Sequence, residues 1–227
     1  MNKKSFLTAG SLALAISTAT TAVYSAELEE IIVTAQKRAE SLQDVPISMS
    51  ALSGSTIKDN GIHSFQDLSG YVPNLEIAEN AVNTIITMRG IGIGSNQSFE
   101  QSVGIYVDGV HFGKSRQVRS GLFDVEQMEV LRGPQGILFG KNTLAGAINV
   151  TTASANVGDE MSGSIDVSQE SYNGQIVDAH ITGSVTDNFA LRFAMRDRTR
   201  DGHIKNTMPG ASTDTMATTD EQMWRLS

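Results

Sequence analysis

A lysine set behind a glycine, Gly140-Lys141, lies inside a glycine-rich run from Arg132 to Thr152 (RGPQGILFGKNTLAGAINVTT). Such a pair is half of a phosphate cradle. A P-loop also places glycine five positions before it and Ser or Thr directly after the lysine, so that backbone N–H groups and the ammonium surround a phosphate. Here position 135 is glutamine and position 142 is asparagine, so both requirements fail. Gly90, Gly92 and Gly94 are spaced GxGxG rather than GxGxxG, with no βαβ pattern around them, which argues against a dinucleotide site. His63, His111, His180 and His203 lie far apart without ligand spacing, and no serine stands in a GxSxG elbow. The residues therefore describe no enzyme, no cofactor and no metal centre. What the run does describe is backbone. Glycine beside the strand-like Ala147-Ile148-Asn149-Val150 suits tight turns threaded against a neighbouring surface, where side chains would obstruct.

Composition narrows the setting. Lys3 and Lys4 precede an uncharged run, Ser5 to Ala22, with an apolar core at Leu12 to Ile16, which reads as a secretory signal cleaved after Ala22 or after Ala26. Without those two lysines, 15 of the 17 basic residues remain against 25 acidic ones, a balance of −10 that argues against nucleic acid as a partner. Cysteine is absent, so an exported chain must hold together without disulfides. No apolar run is long enough for a membrane-spanning helix, which leaves open a β-barrel of short, half-apolar strands.

Several elements must position whatever function exists. Glu29-Glu30-Ile31-Ile32-Val33-Thr34-Ala35, followed by polar residues, is able to pair as a strand but has little to bury alone. Residues 41–153 read as one mixed α+β unit. Ile47 to Ser50 reads as a strand, and a helix runs from Ser53 or Ser55 to Asn60 with Gly61 as its stop. A second helix spans Ser64 to before Pro73, and a strand covers Thr84 to Met88. Val103, Ile105 and Val107 alternate up to the hairpin signal Asp108-Gly109, with Val110 and Phe112 beyond it.

After Ala153 the period becomes two. Met161, Gly163, Ile165 and Val167 oppose serines and Asp166; Val177, Ala179, Ile181 and Val185 oppose Asp178, His180, Thr182 and Ser184. Phe189, Leu191, Phe193 and Met195 then oppose Arg192, Arg196, Arg198 and Arg200. Turns fall at Asn173-Gly174 and Thr186-Asp187-Asn188, and Gln222 to Ser227 begins a fourth strand. Strands of about ten residues with a dyad repeat and short turns match a transmembrane barrel, although a soluble sandwich alternates in the same way.

The words Met88-Arg89-Gly90, Tyr106-Val107-Asp108-Gly109-Val110 and Val130-Leu131-Arg132-Gly133-Pro134, followed by the run to Thr152, resemble in order the plug domain of TonB-dependent outer-membrane receptors. The resemblance extends from about Glu29 to the C-terminus. It implies a signal peptide (1–26), a TonB box and linker (27–40), a plug (41–153) and the first strands of an antiparallel barrel in the Gram-negative outer membrane (154–227). Glu30, Ile31, Ile32, Val33, Thr34 and Ala35 would be the TonB box, offered to the periplasmic coupling protein TonB by strand addition. The implied function is proton-motive-force-coupled uptake of a scarce extracellular ligand, such as a ferric siderophore.

The same resemblance makes Arg89, Gly90, Asp108, Gly109, Arg132, Gly133, Pro134 and Gly136 the plug's anchoring and gating residues, the two arginines facing barrel-wall carboxylates. Ser95, Asn96, Gln97, Phe112 and Arg116 are the candidate ligand residues of the apex. The arginines of 192–200 are expected to line the lumen and pair with the acidic plug. A barrel holding such a plug has roughly 22 strands, and four cannot close, so at least about 400 further residues are expected. The alternatives are a soluble periplasmic plug-like binding protein and a truncated, non-functional receptor.

Overall fold

The computed structural model describes residues 31–34, 37–80, 83–94, 100–119, 121–209 and 215–227. A five-stranded mixed sheet organises the first part, in the order β3 (Met49–Ser53), β8 (Val125–Arg132), β9 (Gly146–Thr152), β6 (Val103–Val107) and β7 (Val110–His111). Only β6 and β9 run parallel, with Ile105 opposite Ile148; the other pairs are antiparallel. Ahead of it, β1 (Ile32–Val33) and β2 (Glu40–Ser41) form a short hairpin, and β4 (Leu75–Glu79) pairs with β5 (Thr84–Met88).

Both faces of the central sheet are covered, which explains its nearly continuous apolar sequences. One face packs Val103, Ile105, Met128, Val130 and Ile148 against Ile57, Leu68 and Met88. The other buries Tyr106, Leu131 and Ala147 under Phe139, from the short helix Gly136–Phe139. The helix Gly54–Asp59 starts where Ser53 Oγ accepts from Thr56 N at 3.2 Å, a cap worth about 1 kcal/mol. It stops at Asn60 and Gly61, the latter at φ +62°.

The helix expected from Ser64 is instead a 3-10 helix, Gln66–Gly70. Asp67 Oδ2 takes the N–H groups of both His63 and Ser64, a side-chain turn that tightens the entry to it. The strand expected at Ile47 lies later, at Met49–Ser53, in register with β8. The hairpin at Asp108-Gly109 forms as expected, both residues at positive φ, between Val107 and Val110.

The second part is an antiparallel sheet, β10 (Ser162–Glu170), β11 (Gly174–Thr186), β12 (Phe189–Arg200) and β15 (Thr219–Leu226); β13 (Ile204–Lys205) and β14 (Thr215–Met216) pair within the β12–β15 connection. Register aligns Ile165, Ala179, Met195 and Trp224 in one row, and Gly163, Ile181, Phe193 and Leu226 in the next. These rows are apolar yet face away from the protein: Ile165 is 77% exposed and Trp224 77%. The opposite face turns to the first part and buries Ile176, Arg192 and Ala194. Ile176 is an apolar residue on the face expected to be polar, and it is buried there.

Candidate functional site

Three places bear on function: the N-terminal strand, the cleft at one end of the central sheet, and the joint between that sheet and the wall. Residues Glu30, Ala35, Ser95, Asn96 and Gln97 lie outside the described residues.

The N-terminal strand is docked. Ile31 O accepts from Leu42 N at 2.9 Å and Val33 pairs with Glu40, so residues 31 and 33 face β2 while Ile32 and Thr34 turn their backbone groups outward. Gln127 Nε2 donates to Ile32 O at 2.9 Å, and Thr34 N donates to Glu129 Oε1 at 2.5 Å. Val33 is buried and Ile32 is 45% exposed. The segment that has little to bury alone is therefore folded against β8, where side chains supply hydrogen-bond partners.

The residues expected to anchor and gate divide. Arg132 donates to Met49 O at 3.0 Å, Ser48 Oγ at 3.1 Å and Pro73 O at 3.3 Å, so its partners are the plug's own. No carboxylate of the described wall strands reaches it. Burial, and then the charge of Arg89 nearby, lower its pKa from the usual value. Arg89, at φ +52°, is exposed, and its Nη1 lies 3.6 Å from where a Cβ on Gly133 would stand. Asp108 accepts from Thr152 N at 2.8 Å and Thr152 Oγ1 at 2.6 Å, tying the hairpin to the strand that leads into the wall. Gly90, Gly109 and Gly133 serve turns at positive φ. Pro134 is exposed, and Gly136 opens the short helix with nothing near its missing Cβ. Within the glycine run, the expected backbone crowding is found at Gly146, where a Cβ would meet Leu131 O at 2.3 Å.

The apical cleft, about 480 Å³, is lined by residues that include Asn83, Gln101, His111, Lys114, Arg116 and Lys141. Arg116 is among its lining residues. Phe112 is not: it packs against the core, and its N–H donates to Ile105 O. His111 and Lys114 belong to the stretch from His111 to Arg119 that the resemblance makes an apex candidate, whereas Lys141, which the sequence offers only as half of a phosphate cradle, joins them from a separate turn. Lys141 Nζ meets Glu100 Oε1 at 3.0 Å, and that hydrogen bond, followed by the lysine charge, lowers the Glu100 pKa. The cleft thus offers several cationic donors to one carboxylate. Among the described residues, no cluster of His, Cys, Asp or Glu could hold a metal ion.

At the joint, Asp124 sits at φ +51° with its side chain 7% exposed. Arg192 grips it with Nη2 to Oδ1 at 2.6 Å and Nε to Oδ2 at 3.1 Å, while Arg225 Nη2 meets Oδ2 at 2.6 Å. Arg225 also donates to Ala153 O at 2.8 Å. Arg196 and Arg198 depart from the expectation. Arg196 pairs with Asp178 and Arg198 with Glu170, both wall residues, because cross-strand carboxylates lie closer than any on the plug. Arg196 does reach the plug through Leu122 O at 2.7 Å. His63 lies 3.6 Å from Glu170, but burial first, and then Arg198 and Arg196, lower its pKa below 6.5. A cavity of about 610 Å³ separates the helix Gly54–Asp59 from this charged wall face. The joint is held by polar pairs around open space rather than by a continuous apolar seam.

Residues 41–147 match the family described as TonB-dependent Receptor Plug Domain. The chain is 31% identical over 167 residues to the pesticin receptor of Yersinia pestis, covering 69% of this chain and 24% of that one. It is 28% identical over 192 residues to the iron-regulated outer membrane virulence protein of Vibrio cholerae, covering 76% and 28% respectively. Its structure is similar to that of the ferric yersiniabactin uptake receptor of Yersinia pestis, with a TM-score of 0.67 and 28% identity, over 79% of this chain and 28% of that chain. The chain thus spans about a quarter of the length of the relatives it matches.

Proposed function

The chain belongs to the TonB-dependent outer-membrane receptors, its residues 41–147 being their plug domain, and from that premise we propose that it serves energy-coupled uptake of a scarce metal chelate. The observation that carries this reading is the charged joint between the plug and a wall whose other face is apolar. Lipid would cover the rows through Ile165 and Trp224, where the sheet's paired backbone satisfies itself. A plug held by exchangeable ion pairs beside a cavity is able to shift without exposing an apolar core, as a gate must.

The roles follow. The apical cleft takes the ligand, with Arg116, Lys114 and Lys141 favouring anionic groups. Ile32 to Thr34 form the segment that pairs with TonB, and pulling on it disturbs β8, onto which it is docked. Ligand specificity is proposed as iron chelates because the named relatives include an iron-regulated protein and a ferric yersiniabactin receptor. Deleting the gene for the intact receptor and scoring growth on a panel of ferric chelates under iron limitation tests this. Loss of growth on one or a few chelates, restored by the gene, supports the proposal; unchanged growth on every iron source contradicts it.

A further inference from the structure

We propose that the cavity of about 610 Å³ between the helix Gly54–Asp59 and the wall is a side passage for water and small ions, closed at one end by the cluster of Asp124, Arg192 and Arg225. The inference goes beyond chelate uptake, since it needs neither TonB nor a chelate, and it takes from the family only that the wall spans the membrane. Ser164, Asp166, Ser168 and Glu170, alternate residues of β10, all line the cavity. From Ser164 to Glu170 the strand advances about 20 Å. At a tilt of about 40° that is about 15 Å of height, more than half of the apolar band of about 25 Å that a barrel presents to lipid. Dividing the volume by the length along the strand leaves a mean cross-section of about 30 Å². That admits a file of waters and small ions and is too narrow for a metal chelate.

What crosses the cavity differs along its length. Toward the Glu170 end, His63 Nε2 stands 3.6 Å from Glu170 Oε1, beyond hydrogen-bond range. Midway, Lys58 reaches Asp166 at 2.6 Å, but the two side chains are 55% and 37% exposed, so water competes for both. At the far end the contact changes character. Both arginines hold Asp124 at 2.6 Å, its side chain is 7% exposed, and Arg192, at 11%, reaches from wall to plug. Beside this cluster two buried polar atoms have no protein partner among the described residues: Arg225 Nε, and Thr182 Oγ1, which lies opposite Arg192 in register. Buried polar atoms of this kind are sites for water. Polar surface thus continues past the cluster, and the three charged side chains are what interrupts it.

The intact receptor is reconstituted into a planar lipid bilayer in potassium chloride, and current is recorded for the parent and for Asp124→Asn. The parent should stay closed. Breaking the buried pair should raise the open fraction roughly 100-fold or more, seen as small, discrete openings. The same recordings test the route. The natural chain has no cysteine, so Ser164→Cys added to Asp124→Asn takes a bulky maleimide inside the cavity, and labelling should abolish the current. A silent Asp124→Asn overturns the proposal, as does a current that persists after full labelling of Ser164→Cys. Should Asp124→Asn fail to insert, Arg192→Gln breaks the same cluster from the wall side, and silence there overturns the passage equally. Silence in the bilayer with energised chelate uptake intact removes the passage and leaves the uptake reading standing; openings in a receptor that takes up no chelate do the reverse.

Discussion

Asp124 is the single residue on which the plug's hold on the wall is most concentrated. Replacing it with asparagine keeps the size and the turn, since Asn also tolerates the positive φ of +51°. It removes the carboxylate that, among the described residues, pairs with both Arg192 and Arg225. Two unit charges about 4 Å apart attract by about 4 kcal/mol at an effective dielectric of about 20. Desolvation of the ions offsets much of the gross attraction, but breaking a buried pair strands charges that have already lost water, at about 3–5 kcal/mol. The side chains of Asp124 and Arg192 are 7% and 11% exposed, so solvent screening relieves little of this.

Opening of the joint is measurable as amide exchange at Leu122, whose N–H donates to His63 O at 2.8 Å just before the turn. For Asp124→Asn, a loss of about 3 kcal/mol corresponds to exchange roughly 100-fold faster. Arg192→Met combined with Asp124→Asn should cost clearly less than the two singles added. Lys58→Ala is the control, because the Lys58–Asp166 pair is largely exposed and should change exchange by no more than about 0.5 kcal/mol. If Asp124→Asn alters Leu122 exchange less than threefold, or if the Asp124 and Arg192 effects simply add, the joint is not held by this pair.

Other consequences are more local. Gly146→Ala would push a Cβ into Leu131 O and Met88 Sδ, costing about 2–4 kcal/mol in thermal unfolding, whereas Gly136→Ala meets open space and should be neutral. Arg132→Lys cannot reproduce a fork onto Met49 O, Ser48 Oγ and Pro73 O, and should lose about 1–3 kcal/mol. The lowered His63 pKa means the folded plug binds that proton less readily than the unfolded chain. His63 therefore costs no stability above the unfolded value of 6.5 and a growing amount as pH falls below it, until the folded pKa is passed. Melting temperatures at pH 7.5 and 5.5 should thus differ less in His63→Gln than in the parent.

What the sequence disclosed follows from how far apart the cooperating residues lie. The Asp108-Gly109 turn, the Ser53 cap and the dyad rows of the wall arise from neighbours within one element, and they stand where the residue pattern puts them. Arg192 and Arg225 meet Asp124 across 68 and 101 residues, a distance no periodicity spans. The resemblance makes Phe112 an apical contact, yet tertiary packing turns it against the core. The docking of Ile32 and Thr34 was hidden because it depends on side chains of β8 rather than on any partner strand. One signal was available: Glu129 interrupts an apolar stretch, and an acid at a buried strand position marks a polar job to be done.

Uptake driven through the N-terminal strand is the centre of this picture, and Ile32→Pro addresses it directly. The substitution deletes one N–H on the outward edge of β1 while sparing the pairing of Val33 with Glu40. Cells carrying the intact receptor are given a radiolabelled ferric chelate that supports their growth, with and without a protonophore. Energised accumulation should vanish in Ile32→Pro and under the protonophore, with surface binding retained in both. Accumulation that persists in the variant at the parent rate, or that ignores the protonophore, would contradict coupled transport through this strand.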